Sequence, residues 1–192
     1  MEPSPEFTIA VICTGNRFRS PLVEALLRQE TQGLPVSVHS FGTLDLGAAP
    51  ALPEALAAAS RLGLDLSTHR ARGIRQAHLA DADLVLGFER AHIVTAVADG
   101  GAPPERTFTL PELVELLERS AAVELDDPVG RARELVAQAD RVRAQPGLPG
   151  ATELGDPLGQ PDRVFRETET TLHNLANRLV RLLFGKPNGA HR

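Results

Sequence analysis

The sequence predicts an α/β fold built on a parallel sheet, and three observations carry that expectation. Short apolar, β-branched runs alternate along the chain with stretches of helical periodicity, the pattern of strands joined by crossover helices. Glycine and proline punctuate the joints. Several of the runs are apolar at successive positions, as strands buried on both faces are.

Taken in order, residues 7–12 (FTIAVI) are the first strand. Pro21 stands where a first helical turn tolerates proline, and Leu22, Val23, Leu26 and Leu27 recur at helical spacing through Glu30. Gly33-Leu34-Pro35 ends that helix, and residues 36–40 (VSVHS) form the second strand. A small-residue loop, GTLDLGAAP, leads to an alanine-rich helix over about 51–62. Beyond Gly63 the chain is basic and polar (STHRARGIR) until the third strand at 83–87 (DLVLG). Helices at 91–97 and 111–119 lie either side of a short fourth strand at 106–109. From 120 to 155 the periodicity weakens: an arginine-rich amphipathic stretch (130–144) precedes the loop signal QPGLPG. The last long helix spans about 162–184, with Phe165, Leu172, Leu175, Leu179 and Leu182 on one side. The tail GKPNGAHR is expected to be disordered.

Composition bounds the function. The 192 residues, 42% hydrophobic and 23% charged, suit one globular domain with a sizeable core. A net charge of −5 argues against non-specific nucleic-acid binding. Of the 20 basic residues only Lys186 is lysine, a bias read as base composition rather than function. One cysteine rules out a disulfide framework, and the six histidines are scattered without ligand spacing, so no metal and no cofactor are expected. No run approaches the roughly 20 apolar residues a membrane span needs. The start, MEPSPEF, is acidic and proline-broken, unlike a signal peptide, so the expected compartment is the cytoplasm, where a lone thiol stays reduced.

That lone thiol stands in the stretch CTGNRFRSP, at the end of the first strand and the opening of the first helix. Ligands of parallel α/β sheets sit beyond the carboxyl ends of the strands. The turn Thr14, Gly15, Asn16, Arg17, Phe18 can aim backbone N–H groups inward as an anion nest, aided by the helix dipole. Arg19 can give a bidentate fork to phosphate oxygens. The same surroundings favour a nucleophilic thiolate at Cys13, and Ser20 can donate a hydrogen bond to it as a leaving group. Taken alone, a cysteine ending a buried strand is a small core residue. With arginine six residues on and Ser-Pro opening a helix, the segment reads as a Cys-x5-Arg-Ser phosphate loop.

From CTGNRFRSP through VHSFGT, LGLDLSTHRAR, DADLVLGFERAH and GDPLG, the chain resembles the low-molecular-weight protein tyrosine phosphatase family over most of residues 7–184. The resemblance implies four parallel strands flanked by helices, with the phosphate-binding loop between first strand and first helix. The whole chain would be one phosphatase-like domain, with residues 120–154 an extension and 185–192 a tail. By the same resemblance Cys13 is the nucleophile, Arg19 the phosphate clamp, and Asn16, Ser20, Ser40 and His69 the hydrogen-bond network propping the loop. His69 has the alternative of a plain surface role. The reaction also needs an acid for the departing oxygen. Two Asp-Pro pairs compete; the family's acid precedes an aromatic by nine residues, which Asp156 meets with Phe165 and Asp127 does not, so Asp156 is preferred.

Three departures from the family bear on substrate. Phe18 occupies a position where a second cysteine often shields the nucleophile, and it is expected to crowd the loop or bury the nucleophile's back side. Arg17 replaces an aliphatic residue, or the threonine of the arginine-phosphatase branch; a rim guanidinium favours acidic substrates and repels phosphoarginine, its alternative being a surface pair with an acid such as Glu24. Leu44 to Leu46 and Leu158 stand where the family has aromatic pocket walls, with Phe41 a candidate substitute. The expected partner is a phosphorylated protein, phosphotyrosine before other esters, with no nucleic acid and no membrane. The rival readings are an arsenate reductase using an external thiol and a catalytically silent phosphate-binding module.

Overall fold

The computed structural model describes residues 6–145 and 152–185. The four apolar runs pair as strands β1 (Phe7–Cys13), β2 (Val36–Gly42), β3 (Leu84–Gly87) and β4 (Thr107–Thr109), all parallel, in the order β2-β1-β3-β4. Among the described residues six α-helices connect and flank them: α1 (Arg19–Glu30), α2 (Pro53–Arg61), α3 (Arg90–Ala98), α4 (Leu110–Arg119), α5 (Pro128–Arg143) and α6 (Asp162–Phe184). The expected four-stranded parallel sheet is therefore present.

The period-two alternation of β1 divides the interior. Phe7, Ile9, Val11 and Cys13 face the larger core, against apolar residues of α1, α2, α4, α5 and α6. Ala10 and Ile12 face a smaller one with Ile74, Leu79, Val85 and Ala96. Cys13 thus ends a strand whose odd-numbered face is buried.

Several boundaries moved, each for a local reason. β2 runs on to Gly42 because Phe41 and Gly42 stay in register with Ile12 and Cys13. A Cβ on Gly42 would come within 3.0 Å of the Thr14 and Leu44 carbonyl oxygens, so only glycine lets the loop after β1 pass this close. α1 runs from Arg19, since Leu22 N already bonds the Phe18 carbonyl at 3.2 Å, and Pro21 falls within its first turn. On α6, Leu183 is fully buried and Leu182 only half-buried, so the core-facing side is set slightly differently from the sequence expectation.

The weakly periodic stretch after residue 120 contains α5. Asp127 caps its first turn, accepting from Val129 N at 3.4 Å and Gly130 N at 2.7 Å, with Pro128 at the first helical position. Val129, Ala132, Leu135, Val136 and Ala139 are buried in the same core as β1. The expected disorder of the tail and most of QPGLPG lie outside the described residues. Among the described residues no helix is long and apolar enough to cross a membrane.

If α5 is part of the main folding unit, Leu135→Ala should cost roughly 2–5 kcal/mol. Urea unfolding would read this as a lowered midpoint at unchanged slope. A midpoint equal to that of the parent chain would mean that α5 packs without contributing.

Candidate active site

The order β2-β1-β3-β4 reverses direction between β1 and β3, and the crevice beyond their carboxyl ends is where such sheets take ligands. The loop Thr14–Phe18 fills that position, with the end of β3 and the start of α3 beside it.

Asn16 organises the loop. It is fully buried, with φ of 51° in the left-handed region that non-glycine residues seldom enter. Its backbone N–H points at Cys13 Sγ (3.2 Å), and its carbonyl meets His69 Nε2 at 2.7 Å. Its side-chain Nδ2 donates to Ser20 Oγ (2.9 Å) and Ser40 Oγ (2.8 Å), while Oδ1 accepts from Arg72 N (2.9 Å).

The directions of these bonds are set from the far end. Glu24 is buried and accepts from the Ser40 hydroxyl, so Ser40 must receive Asn16 Nδ2 on a lone pair. Ser20 Oγ likewise receives from Asn16, and its hydroxyl faces Cys13 Sγ at 3.0 Å, with Phe41 O a longer alternative at 3.4 Å. Two donors thus converge on the sulfur, the arrangement a thiolate accepts. Ser40 and His69 thus both bond Asn16. Glu24 and Arg72 complete the network and were not anticipated; Glu24 also pairs with Arg28 (2.7 Å) and Arg72 (3.5 Å).

Arg19 is 1% exposed. Its Nη1 bonds Glu89 and the Leu154 carbonyl (3.0 Å); Nη2 bonds Asp156 Oδ2 (2.5 Å) and Thr14 Oγ1 (3.3 Å). Asp156 is thereby brought to the loop, while Asp127 is spent on capping α5. Asp156 Oδ1 also accepts from Leu158 N at 3.0 Å, which closes the turn carrying it. Glu89 and His92 were missed, although both fall in DADLVLGFERAH just past β3, beside β1 at the reversal of strand order.

His92 is buried. Its Nδ1 accepts from the backbone N–H of Phe88 (3.2 Å) and Glu89 (3.1 Å), and its Nε2 faces Thr14 Oγ1 at 3.1 Å. Burial, and secondarily the Arg19 cation, push its pKa from 6.5 to about 4, against opposing pulls from Glu89, Asp156 and Glu153.

The cleft above Cys13 is narrow, about 120 Å³, and is lined by Thr14, Gly15, Arg17, Leu44, Leu46 and Leu158 among others. The leucines at the expected wall positions do line it. Phe41 does not; it lies in the smaller core under the Arg72 guanidinium, 4.8 Å from its ring centre. Arg17 donates from Nε to Pro50 O at 2.8 Å, so the alternative pair with Glu24 is not formed. The Phe18 ring is buried edge-on against Phe165, centroids 5.1 Å apart, backing the loop and tying it to α6. Among the described residues no group of three or more His, Cys, Asp or Glu could hold a metal ion.

The low molecular weight phosphotyrosine protein phosphatase family matches residues 8–145 of the chain. The probable low molecular weight protein-tyrosine-phosphatase EpsP of Ralstonia nicotianae is 43% identical over 84 residues, 44% of this chain and 57% of that protein. A protein-arginine-phosphatase of Bacillus subtilis is 33% identical over 108 residues, covering 55% and 71% respectively. A solved low molecular weight protein tyrosine phosphatase from T. tengcongensis has a TM-score of 0.68 at 25% identity, covering 92% of this chain and 99% of that one. The chain spans about half the length of the first curated relatives it matches, 57% and 53%.

His92 gives the site a pH signature. Because the folded chain binds this proton more weakly than the ordinary 6.5, the unfolded chain takes it up first as pH falls. Stability tied to neutral His92 is fully present above about pH 6.5 and is lost down to about pH 4. At about 1.36 kcal/mol per pH unit the loss is of order 3 kcal/mol. Urea unfolding across that window should show the parent chain losing more stability than His92→Gln. Parallel profiles would contradict the neutral, buried imidazole.

Proposed function

The chain belongs to the low molecular weight phosphotyrosine protein phosphatase family, and from that premise we propose that it is a cysteine-dependent phosphomonoester hydrolase of the cytoplasm. One observation carries the reading: the Cys13 sulfur, with the Asn16 N–H and Ser20 hydroxyl directed at it, shares one narrow cleft with Arg19 and Asp156.

Chemistry follows from those positions. The Cys13 thiolate attacks phosphorus while the P–O bond to the leaving group breaks, and protonated Asp156 delivers its proton to the departing oxygen. Loop N–H groups and Arg19 hold the equatorial oxygens, where charge develops. The Asp156 carboxylate then takes a proton from water as that water attacks the phosphocysteine. The S–P bond breaks, and the sulfur departs as a thiolate received by Ser20. Asp156 pairs with Arg19, so an incoming phosphoryl group competes with it for the guanidinium.

The substrate is a phosphorylated protein, with phosphotyrosine favoured. Leu44, Leu46 and Leu158 offer an apolar slot suited to a phenol ring, though without the aromatic stacking worth about 0.5–1.5 kcal/mol per pair. Arg17 carries fixed positive charge at the rim, which repels the guanidinium of phosphoarginine. Phosphoarginine is the second reading, since two relatives are named protein-arginine-phosphatases. Arsenate reduction and a silent binding module have no such support.

Cys13→Ser should abolish aryl phosphate hydrolysis. Asp156→Asn should steepen the dependence of rate on leaving-group pKa, costing up to about 10²–10⁴-fold for poor leaving groups and less for nitrophenolate. Asp127→Asn should leave that dependence as it is in the parent chain. Steepening by Asp127→Asn instead would put the acid on α5's cap and overturn the assignment.

A side-by-side panel of phosphotyrosine and phosphoarginine peptides checks the substrate. The parent chain should prefer phosphotyrosine, and Arg17→Ala should narrow the preference, more so at low salt. Faster turnover of phosphoarginine by the parent chain would favour the second reading.

A further inference from the structure

The hydroxyl of Thr14 is hemmed in by donors. Nη2 of Arg19, 3.3 Å away, can only donate. The imidazole of His92 lies 3.1 Å away through Nε2, and its role is fixed by its other nitrogen. Nδ1 faces two backbone N–H groups, those of Phe88 and Glu89, and so must be the acceptor; the ring proton then sits on Nε2. Glu89 Oε1 is a more distant neighbour of Nε2, 3.8 Å away, and is already engaged by Arg19.

Both lone pairs of Thr14 Oγ1 are therefore filled from the protein side. Its own O–H has no acceptor among the described residues, and Thr14 lines the cleft together with Cys13, Gly15, Arg19 and Asp156. A threonine hydroxyl normally rotates to suit its surroundings. Among the described residues nothing accepts this hydrogen, and the cleft that Thr14 lines above Cys13 gives it room.

We propose that Thr14 supplies a side-chain O–H donor to the phosphoryl group held over Cys13, and that His92 is the positioning residue that turns this hydroxyl into a donor. The inference rests on the phosphatase reading and deepens it. The loop amides and Arg19 bind an oxyanion of any orientation. The Thr14 donor adds one fixed contact on the side of β3, where Asp156 also stands. The pKa of about 4 fits the role, because His92 stays a neutral one-donor group throughout the neutral range.

Orthovanadate inhibition of aryl phosphate hydrolysis tests this on the full chain. Thr14→Val, nearly isosteric, should weaken vanadate about 10- to 100-fold, the scale of a hydrogen bond to a charged acceptor. Thr14→Ser should recover most of the loss. His92→Leu should also weaken vanadate, and His92→Gln, whose amide nitrogen can stand in for Nε2, should recover it. In a Thr14→Val background His92→Leu should add nothing, an outcome a merely structural histidine would not give. Thr14→Val binding vanadate as tightly as the parent chain, or losses that multiply in the double variant, would overturn the inference while leaving the phosphatase reading intact. A parent chain that neither hydrolyses aryl phosphates nor binds vanadate would overturn both.

Discussion

Asn16 sits buried at φ 51°, and five hydrogen bonds hold it there: to Cys13, Ser20 and Ser40, and from Arg72 and His69. A left-handed non-glycine residue costs roughly 1–2 kcal/mol. Hydrogen bonds at about 1 kcal/mol net apiece offset that cost. The consequence is geometric. With Asn16 fixed, its N–H faces the sulfur, Ser20 is turned toward the same atom, and the loop can curl back over the end of β1. Gly42 leaves room for the curl, and Glu24 sets the direction of the hydrogen-bond chain from beneath.

Arg19 supplies the second constraint. A guanidinium almost wholly removed from water must be paired, and it is paired on both forks: Glu89 with the Leu154 carbonyl on one nitrogen, Asp156 with Thr14 on the other. This ties together three distant parts of the chain, namely the loop after β1, the turn after β3, and the Asp-Pro turn before α6. The segment leading to Asp156 is further stitched by Leu154 N to Phe88 O (2.8 Å) and by Glu153 accepting from Arg90 N (2.6 Å). Phe18 against Phe165 fastens the same turn from the other side. Arg19 and Asp156 are thus held beside the loop that carries Cys13.

The strands and helices were legible because the sheet is parallel and buried, which writes itself as apolar runs divided by helical periodicity. The loop was legible because cysteine, arginine and serine at fixed spacing followed a strand and opened a helix. Between the two Asp-Pro pairs the sequence distinguishes Asp156 by the aromatic that follows it; that Asp127 caps α5 shows only in the fold. Glu24, Arg72, Glu89 and His92 were not legible. Each acts through a neighbour rather than through a motif, and their contacts span from 16 to 78 residues of sequence separation. Phe41 misled because its sequence position is next to the pocket wall, while strand alternation turns its ring to the other face of the sheet.

In the proposed reaction phosphorus passes through the sulfur of Cys13. Rapid acid quenching of the protein during steady hydrolysis of an aryl phosphate, followed by mass spectrometry of the peptide bearing Cys13, reads that step directly. A single phosphoryl group on Cys13, appearing within the first turnover and decaying as substrate is exhausted, is the predicted result. Undiminished turnover with Cys13 never phosphorylated, or with the phosphoryl group on another side chain, would contradict it.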